Sequence, residues 1–299
     1  NPEEIEGLDE LLESRNLGGA KGFHLYSMAI AGGVNIAVKG TLDAAVGIVG
    51  AWIDSKTEIK TKAYITNSNC TLSRDGANVT VAATEELKIR SDSGGAEFDF
   101  GIATNNGTGV AVGLLGAIAR HHRKNAVVAY LEESHLSADG TVLVEAAGRS
   151  NVHLSSWGVA FLLAGGQTNA VAIGDSVGVA EIYGQKDSED SEINLISATI
   201  RGGTLGARDG VGRIPSAVRV RAIDETEYQT NIFAGGISSA WTAGAGSASV
   251  AAHFTESISR IYPEHQVIAT IEAATTETGS IQTSEVQSDG SVEVLAENK

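Results

Sequence analysis

The chain repeats itself at long range. Ala45-Val46-Gly47-Ile48-Val49-Gly50-Ala51 returns 66 residues later as Ala111-Val112-Gly113-Leu114-Leu115-Gly116-Ala117. Lys62-Ala63-Tyr64-Ile65 returns at the same offset as Val128-Ala129-Tyr130-Leu131. The alanine position recurs in Ala198-Thr199-Ile200 and Ala269-Thr270-Ile271, after steps of 69 and 71. An Asp-Gly turn follows each copy, at Asp75-Gly76, Asp139-Gly140, Asp209-Gly210 and Asp289-Gly290. Behind each turn lies an alternating strand: Val79-Thr80-Val81, Val142-Leu143-Val144, Val218-Arg219-Val220 and Val292-Glu293-Val294. Units of this kind cannot bury an apolar face alone and must stack on their neighbours. The four degenerate repeats of 66–71 residues define one architecture from residue 20 to 299.

Within each repeat the apolar period is two, broken by turn residues, which is strand patterning. Aromatic residues make up only 5% of the chain, so its apolar content is mostly small or β-branched and suits narrow, sheet-rich packing. Divided by three, the repeat gives coils of about 22 to 24 residues, a plausible length for a parallel β-helix. The expected fold is therefore all-β, a parallel β-helix (β-solenoid), with a propeller and an antiparallel sandwich as the alternatives. Strand alternation turns Val142, Val144, Ala63 and Ala129 inward and Lys62, Glu132 and Glu145 outward.

The first 19 residues differ. Apolar side chains at Ile5, Leu8, Leu11 and Leu12 have helical spacing, Pro2 and the acids suit a helix start, and Asn16-Leu17-Gly18-Gly19 suits a stop. The spacing predicts a short N-terminal α-helix over 3–13 that caps one end of the stack. At the other end the strand Val292, Val294, Leu295 is the expected assembly edge, because an uncovered sheet edge is a template for another chain.

Charge excludes one large class of partner. With 21 basic against 37 acidic residues, the net charge is −16, so the surface repels phosphate backbones and no nucleic acid is expected. Nor is membrane insertion, since the apolar stretch from Tyr26 to Ile53 is broken by Lys39, Asp43 and many glycines. The basic spot Arg120-His121-His122-Arg123-Lys124 is read as a solvated turn. Cys70 is the only cysteine, so neither an internal disulfide nor a cysteine metal site exists.

Sites of chemistry are sparse. The nucleophile elbow, the zinc-protease helix motif and the P-loop are all missing. His121 and His122 are adjacent, so on a strand they face opposite ways. The acidic run Asp187 to Glu192 reads as a solvated loop, with a calcium loop as its alternative. Glu97 and Asp99 are the one carboxylate pair placed on a shared strand face, about 7 Å apart, and the plainer reading is an exposed face. No cofactor and no metal are expected.

Thr61-Lys62-Ala63-Tyr64-Ile65-Thr66-Asn67-Ser68, followed by Asn78-Val79-Thr80-Val81-Ala82-Ala83, resembles the repeats of large bacterial filamentous adhesins, the leukotoxin-type filamentous adhesin family. The second copy, Ala126 to Ala147, is similar, and the third and fourth have Thr in place of Tyr. The resemblance runs over about residues 30 to 299. It implies a secreted, extracellular structural and adhesive fibre at the bacterial cell surface, without enzymatic activity. Its partners would be copies of itself, neighbouring solenoid coils, or a host or matrix surface. The alternatives are a subunit assembling end to end into an extracellular filament or sheath, and a carbohydrate-active β-helix enzyme.

Overall fold

The computed structural model describes residues 25–38, 40–184, 194–207, 211–275 and 280–299. The expected helix over 3–13, the acidic run 187–192 and the turn Asp209-Gly210 lie outside the described residues. Those described are all-β, without a helix. In chain order the strands are β1 Leu25–Val38, β2 Leu42–Thr66, β3 Asn69–Thr71, β4 Val79–Ile102, β5 Thr108–Ser137, β6 Thr141–Gly166, β7 Asn169–Gly184 and β8 Asn194–Leu205. They continue as β9 Ala217–Asp224, β10 Glu227–Thr242, β11 Ala248–Tyr262, β12 His265–Glu272, β13 Ala274–Thr275, β14 Ile281–Gln282, β15 Ser284–Val286 and β16 Ser291–Asn298.

Two parallel sheets hold almost all of them. In the first, β1, β4 and β6 lie side by side; β9 and β10 share the far side of β6, and β16 lies on β9. In the second, β2 and β3 lie on one side of β5, with β7 and β8 on the other. There β11 lies on β7, and β12 and β15 lie on β8. Chain order alternates between the sheets, and every return adds a strand parallel to the last. This excludes the antiparallel sandwich; the short pair β13–β14 is antiparallel.

Pairing offsets run from 61 to 79 residues. The expected division into coils of 22 to 24 residues is therefore corrected: one passage through both sheets uses the whole repeat. The strands are simply longer than turn spacing suggested. In β5 the odd-numbered residues from Ala111 to Leu131 are buried without a break and the even-numbered ones face out.

Register follows the repeated residues. Ala63 lies beside Ala129, Ala129 beside Ala198, and Ala198 beside Ala269. Val81, Val144, Val220 and Val294 form a similar row. Like residues at like depth let each layer match the next, and Val127, Ala129, Val142, Val144, Ala198 and Val220 are fully buried in one cluster between the sheets. Outside, Tyr64 stacks on Tyr130 at 5.1 Å, and Thr199 and Thr270 continue that row with hydroxyls 3.3 Å apart. One bend also recurs. Asn67, Glu133 and Gly202 all have left-handed backbones, with φ of 47°, 47° and 58°.

Candidate functional site

The basic spot of the sequence is not a turn. It lies in the middle of β5, where alternation turns His121, Arg123 and Asn125 inward and leaves Arg120, His122 and Lys124 outside. Arg123 is 2% exposed, and a buried guanidinium must find acceptors. It donates to both Glu85 carboxylate oxygens (3.2 and 3.4 Å), to Ser150 Oγ (2.7 Å), and to Thr226 Oγ1 and Tyr228 Oη at 3.2 Å each. Asn125 Nδ2 and Ser150 Oγ also donate to Glu85, at 2.6 and 3.0 Å. Beyond Arg123, Tyr228 Oη meets His265 Nε2 at 2.7 Å, and His265 Nδ1 reaches Asp224 Oδ2 at 2.5 Å. Asp224 accepts from Thr226 N and Oγ1. Burial alone would raise the Asp224 carboxyl, yet hydrogen bonds from His265 and Thr226 hold it below its ordinary range. Burial pushes the Tyr228 phenol up to about 12. The result is a polar belt that crosses the interior through three successive layers, β4, β6 and the β9–β10 junction.

His121, two residues away, is fully buried between Ser55 Oγ (2.8 Å from Nδ1) and Thr57 Oγ1 (3.2 Å from Nε2). Burial first, then the charges of Arg123 and His122, push its pKa down to about 4. The imidazole is thus neutral in the fold and charges readily once unfolded. Its contribution to stability is complete above the unfolded pKa near 6.5 and is lost as pH falls from there toward 4. We expect this one group to cost about 3 kcal/mol between pH 7 and pH 4. Urea melts at both pH values should show His121→Asn losing less stability than the unmodified protein by about that margin; parallel losses would contradict the assignment.

Glu97 and Asp99 do share a strand face, but the expected exposed face is corrected: both are fully buried between the sheets. Gly47 and Gly113 of the opposite sheet make room for them; a Cβ at Gly47 would sit 1.8 Å from Glu97 Oε1. Asn35 Nδ2 donates to Asp99 Oδ1 at 2.7 Å, while both Glu97 oxygens and Asp99 Oδ2 meet no donor. A sugar chain has no access to carboxyl groups sealed in this way, so the geometry does not favour the carbohydrate-active reading.

The Asp-Gly turns connect the second sheet to the first. Gly76 has φ +68°, the left-handed conformation that favours glycine. Gly140 and Gly290 do not; each is needed because its neighbour approaches closely. A Cβ would lie 2.4 Å from the Ala77 carbonyl oxygen and 2.2 Å from that of Ser216, respectively. Arg213 brings two of the turns together, pairing with Asp75 Oδ1 at 2.8 Å and Asp139 Oδ2 at 2.6 Å. Asp289 N donates to Pro215 O at 2.9 Å, so residues 213–215 tie all three described turns into one corner. Sequence reasoning missed Arg213, because an insertion carries no period to flag it. Beside this corner an open groove of about 1030 Å³ is lined by polar groups that include Asn67, His135 and Gln287.

At the stack's end, β16 pairs with β9 alone among the described strands. Val292 and Val294 are 50% and 48% exposed, and Leu295 is half-buried beside Arg221. Among the described residues no three His, Cys, Asp or Glu side chains are grouped to hold a metal ion. Comparison with protein-family models, with curated proteins and with solved structures finds no match.

Proposed function

We propose that the chain is a non-enzymatic β-solenoid segment of an extracellular fibre at a bacterial surface, built to extend along the stacking axis. The observation that carries this reading is the row Ala63–Ala129–Ala198–Ala269, in which each layer repeats the register of the one before. Such a stack has no intrinsic end. Its interior is held by the polar belt and its outer rows by charge pairs between layers, such as Glu132–Arg201–Glu272 and Arg221–Glu293. A single cysteine and an acidic surface suit a secreted chain, and the adhesin-like motifs add the surface setting.

A second reading, end-to-end assembly of separate subunits, is favoured by the bare β16 edge. Head-to-tail contacts of this kind do not close and give filaments. Electron micrographs should show rods that lengthen with protein concentration. Val292→Lys with Val294→Lys should leave single short rods with an unchanged circular dichroism spectrum, because charged side chains block an edge. Short rods of the unmodified chain at every concentration would leave the fibre-segment reading and remove self-assembly.

A further inference from the structure

Strand alternation has an inverted sense in one half of the molecule. On the first sheet, take the outward residues from Ile30 to Val38 of β1 and those in register on β4, β6 and β10. Ser239 is the only polar one. Ile30, Val34, Ile36, Phe233 and Ile237 are each about 60% exposed. Trp157 lies over Gly94 and Trp241 over Gly165, where a Cβ would collide with the indoles. On the second sheet, take the outward residues from Ala44 to Trp52 of β2 and those beside them on β5, β7 and β11. All are apolar or glycine except Asp175 and Glu256, and Ile48 is 78% exposed. Inside the same half lie Glu97, Asp99, Asn35, Ser93 and Ser156.

The two apolar fields end at one level. Ser93 Oγ donates to Ala51 O and Ser156 Oγ to Ala117 O, which sets the edge row of the first sheet opposite that of the second. Just past it, Arg120 and Arg260 pair with Glu181 on the second sheet, and Arg90 and Tyr26 bind Asp92 on the first. Aromatic rings accompany these charges: Trp52 under Arg120, and the stack His122–Tyr183–Tyr262. At the opposite limit the connections 40–41, 103–107, 167–168 and 243–247 contain no ionisable side chain; Lys39 lies outside the described residues.

We propose that this lobe seats in the hydrocarbon of a lipid bilayer, with both apolar faces against acyl chains and the charged, aromatic belt at the headgroups. Eight residue steps at about 3.3 Å make each field about 26 Å tall, close to the hydrocarbon core of about 30 Å. Apolar outside, polar inside and an aromatic girdle is the pattern of strands that face lipid. A second copy fits less well. Four strands about 4.8 Å apart give each face about 500 Å², below the roughly 800 Å² per partner of a stable interface, and a partner on one face leaves the other bare. Net negative charge bears on anionic headgroups, not on hydrocarbon, so it does not oppose a neutral bilayer. The open edges of β1, β2, β10 and β11 would need covering in lipid, and in that respect the inference rests on the stacking of layers proposed above.

The test uses phosphatidylcholine vesicles and four single-cysteine variants on a Cys70→Ala background, labelled with an environment-sensitive dye at Ile36, Ile48, Lys62 or Thr80. The protein should float with the vesicles, and the dyes at 36 and 48 should brighten several-fold and be quenched by chain-brominated lipid. Those at 62 and 80 should not respond. Ile36→Glu with Ile48→Glu should abolish flotation while the circular dichroism spectrum is unchanged. Absence of flotation, equal responses at all four labels, or brightening that follows protein concentration without vesicles would overturn the proposal, the last pointing to face-to-face packing of copies. Micrographs of the same samples keep the two readings apart: filaments without flotation refute lipid seating alone.

Discussion

Replacing Arg123 by methionine should cost about 3–5 kcal/mol of stability, the usual result of removing one partner from a buried ion pair. The reason is what remains. Glu85 is 5% exposed and would keep a carboxylate without its cation, and Ser150, Thr226 and Tyr228 would lose a shared neighbour. Chemical denaturation of Arg123→Met should therefore show a large fall in the midpoint. Adding Glu85→Gln should recover a good part of it, since the uncompensated charge is then gone. If the single variant is as stable as the unmodified protein, the belt is not closed as described. If the second substitution recovers nothing, the loss comes from packing and not from the stranded charge.

Val144→Asp should be as damaging, at about 4 kcal/mol, because it puts a carboxylate into a row of valines with no donor in reach. Val144 is fully buried, between Val81 on one side and Val220 on the other. Its neighbour Glu145 points outward, and Glu145→Ala should stay within about 0.5 kcal/mol. Thermal melts of the two variants at pH 7 measure the contrast. Equal melting temperatures would reverse the assignment of inner and outer faces on β6.

Much of this arrangement could be read from the residues. The 66-residue offset between Lys62-Ala63-Tyr64-Ile65 and its copy equals the pairing offset of β2 on β5, because side chains repeat where they meet themselves in the next layer. Coil length could not be read in the same way. A period of two says which side a residue faces but not how far the strand runs, and β5 continues for 30 residues without a turn residue to end it. The error over Arg120 to Lys124 was avoidable: His121, Arg123 and Asn125 share the parity of Ala117, Ala119 and Val127, which a charge count ignores. Glu97 and Asp99 were placed outside because carboxylates usually are. The contrary signal was their neighbours Phe98 and Phe100, which had to occupy the other face. For the Asp-Gly turns, glycine itself was legible but its cause was not, since close approach to a carbonyl at Gly140 and Gly290 depends on a neighbouring layer.

The central claim is that each layer lies one strand spacing from the next, residue for residue. Lys62, Val128, Ser197 and Ile268 are in register on β2, β5, β8 and β12. Spin labels placed in pairs at 62 and 128, 62 and 197, and 62 and 268 should report backbone separations that rise in steps of about 4.8 Å, to about 5, 10 and 14 Å. Electron spin resonance of the three pairs measures the series directly. A strong interaction at 62 and 128 that weakens regularly through the other two pairs is the predicted result. A separation near 14 Å already at 62 and 128, as three short coils per repeat would give, or one that does not grow along the series, would contradict it.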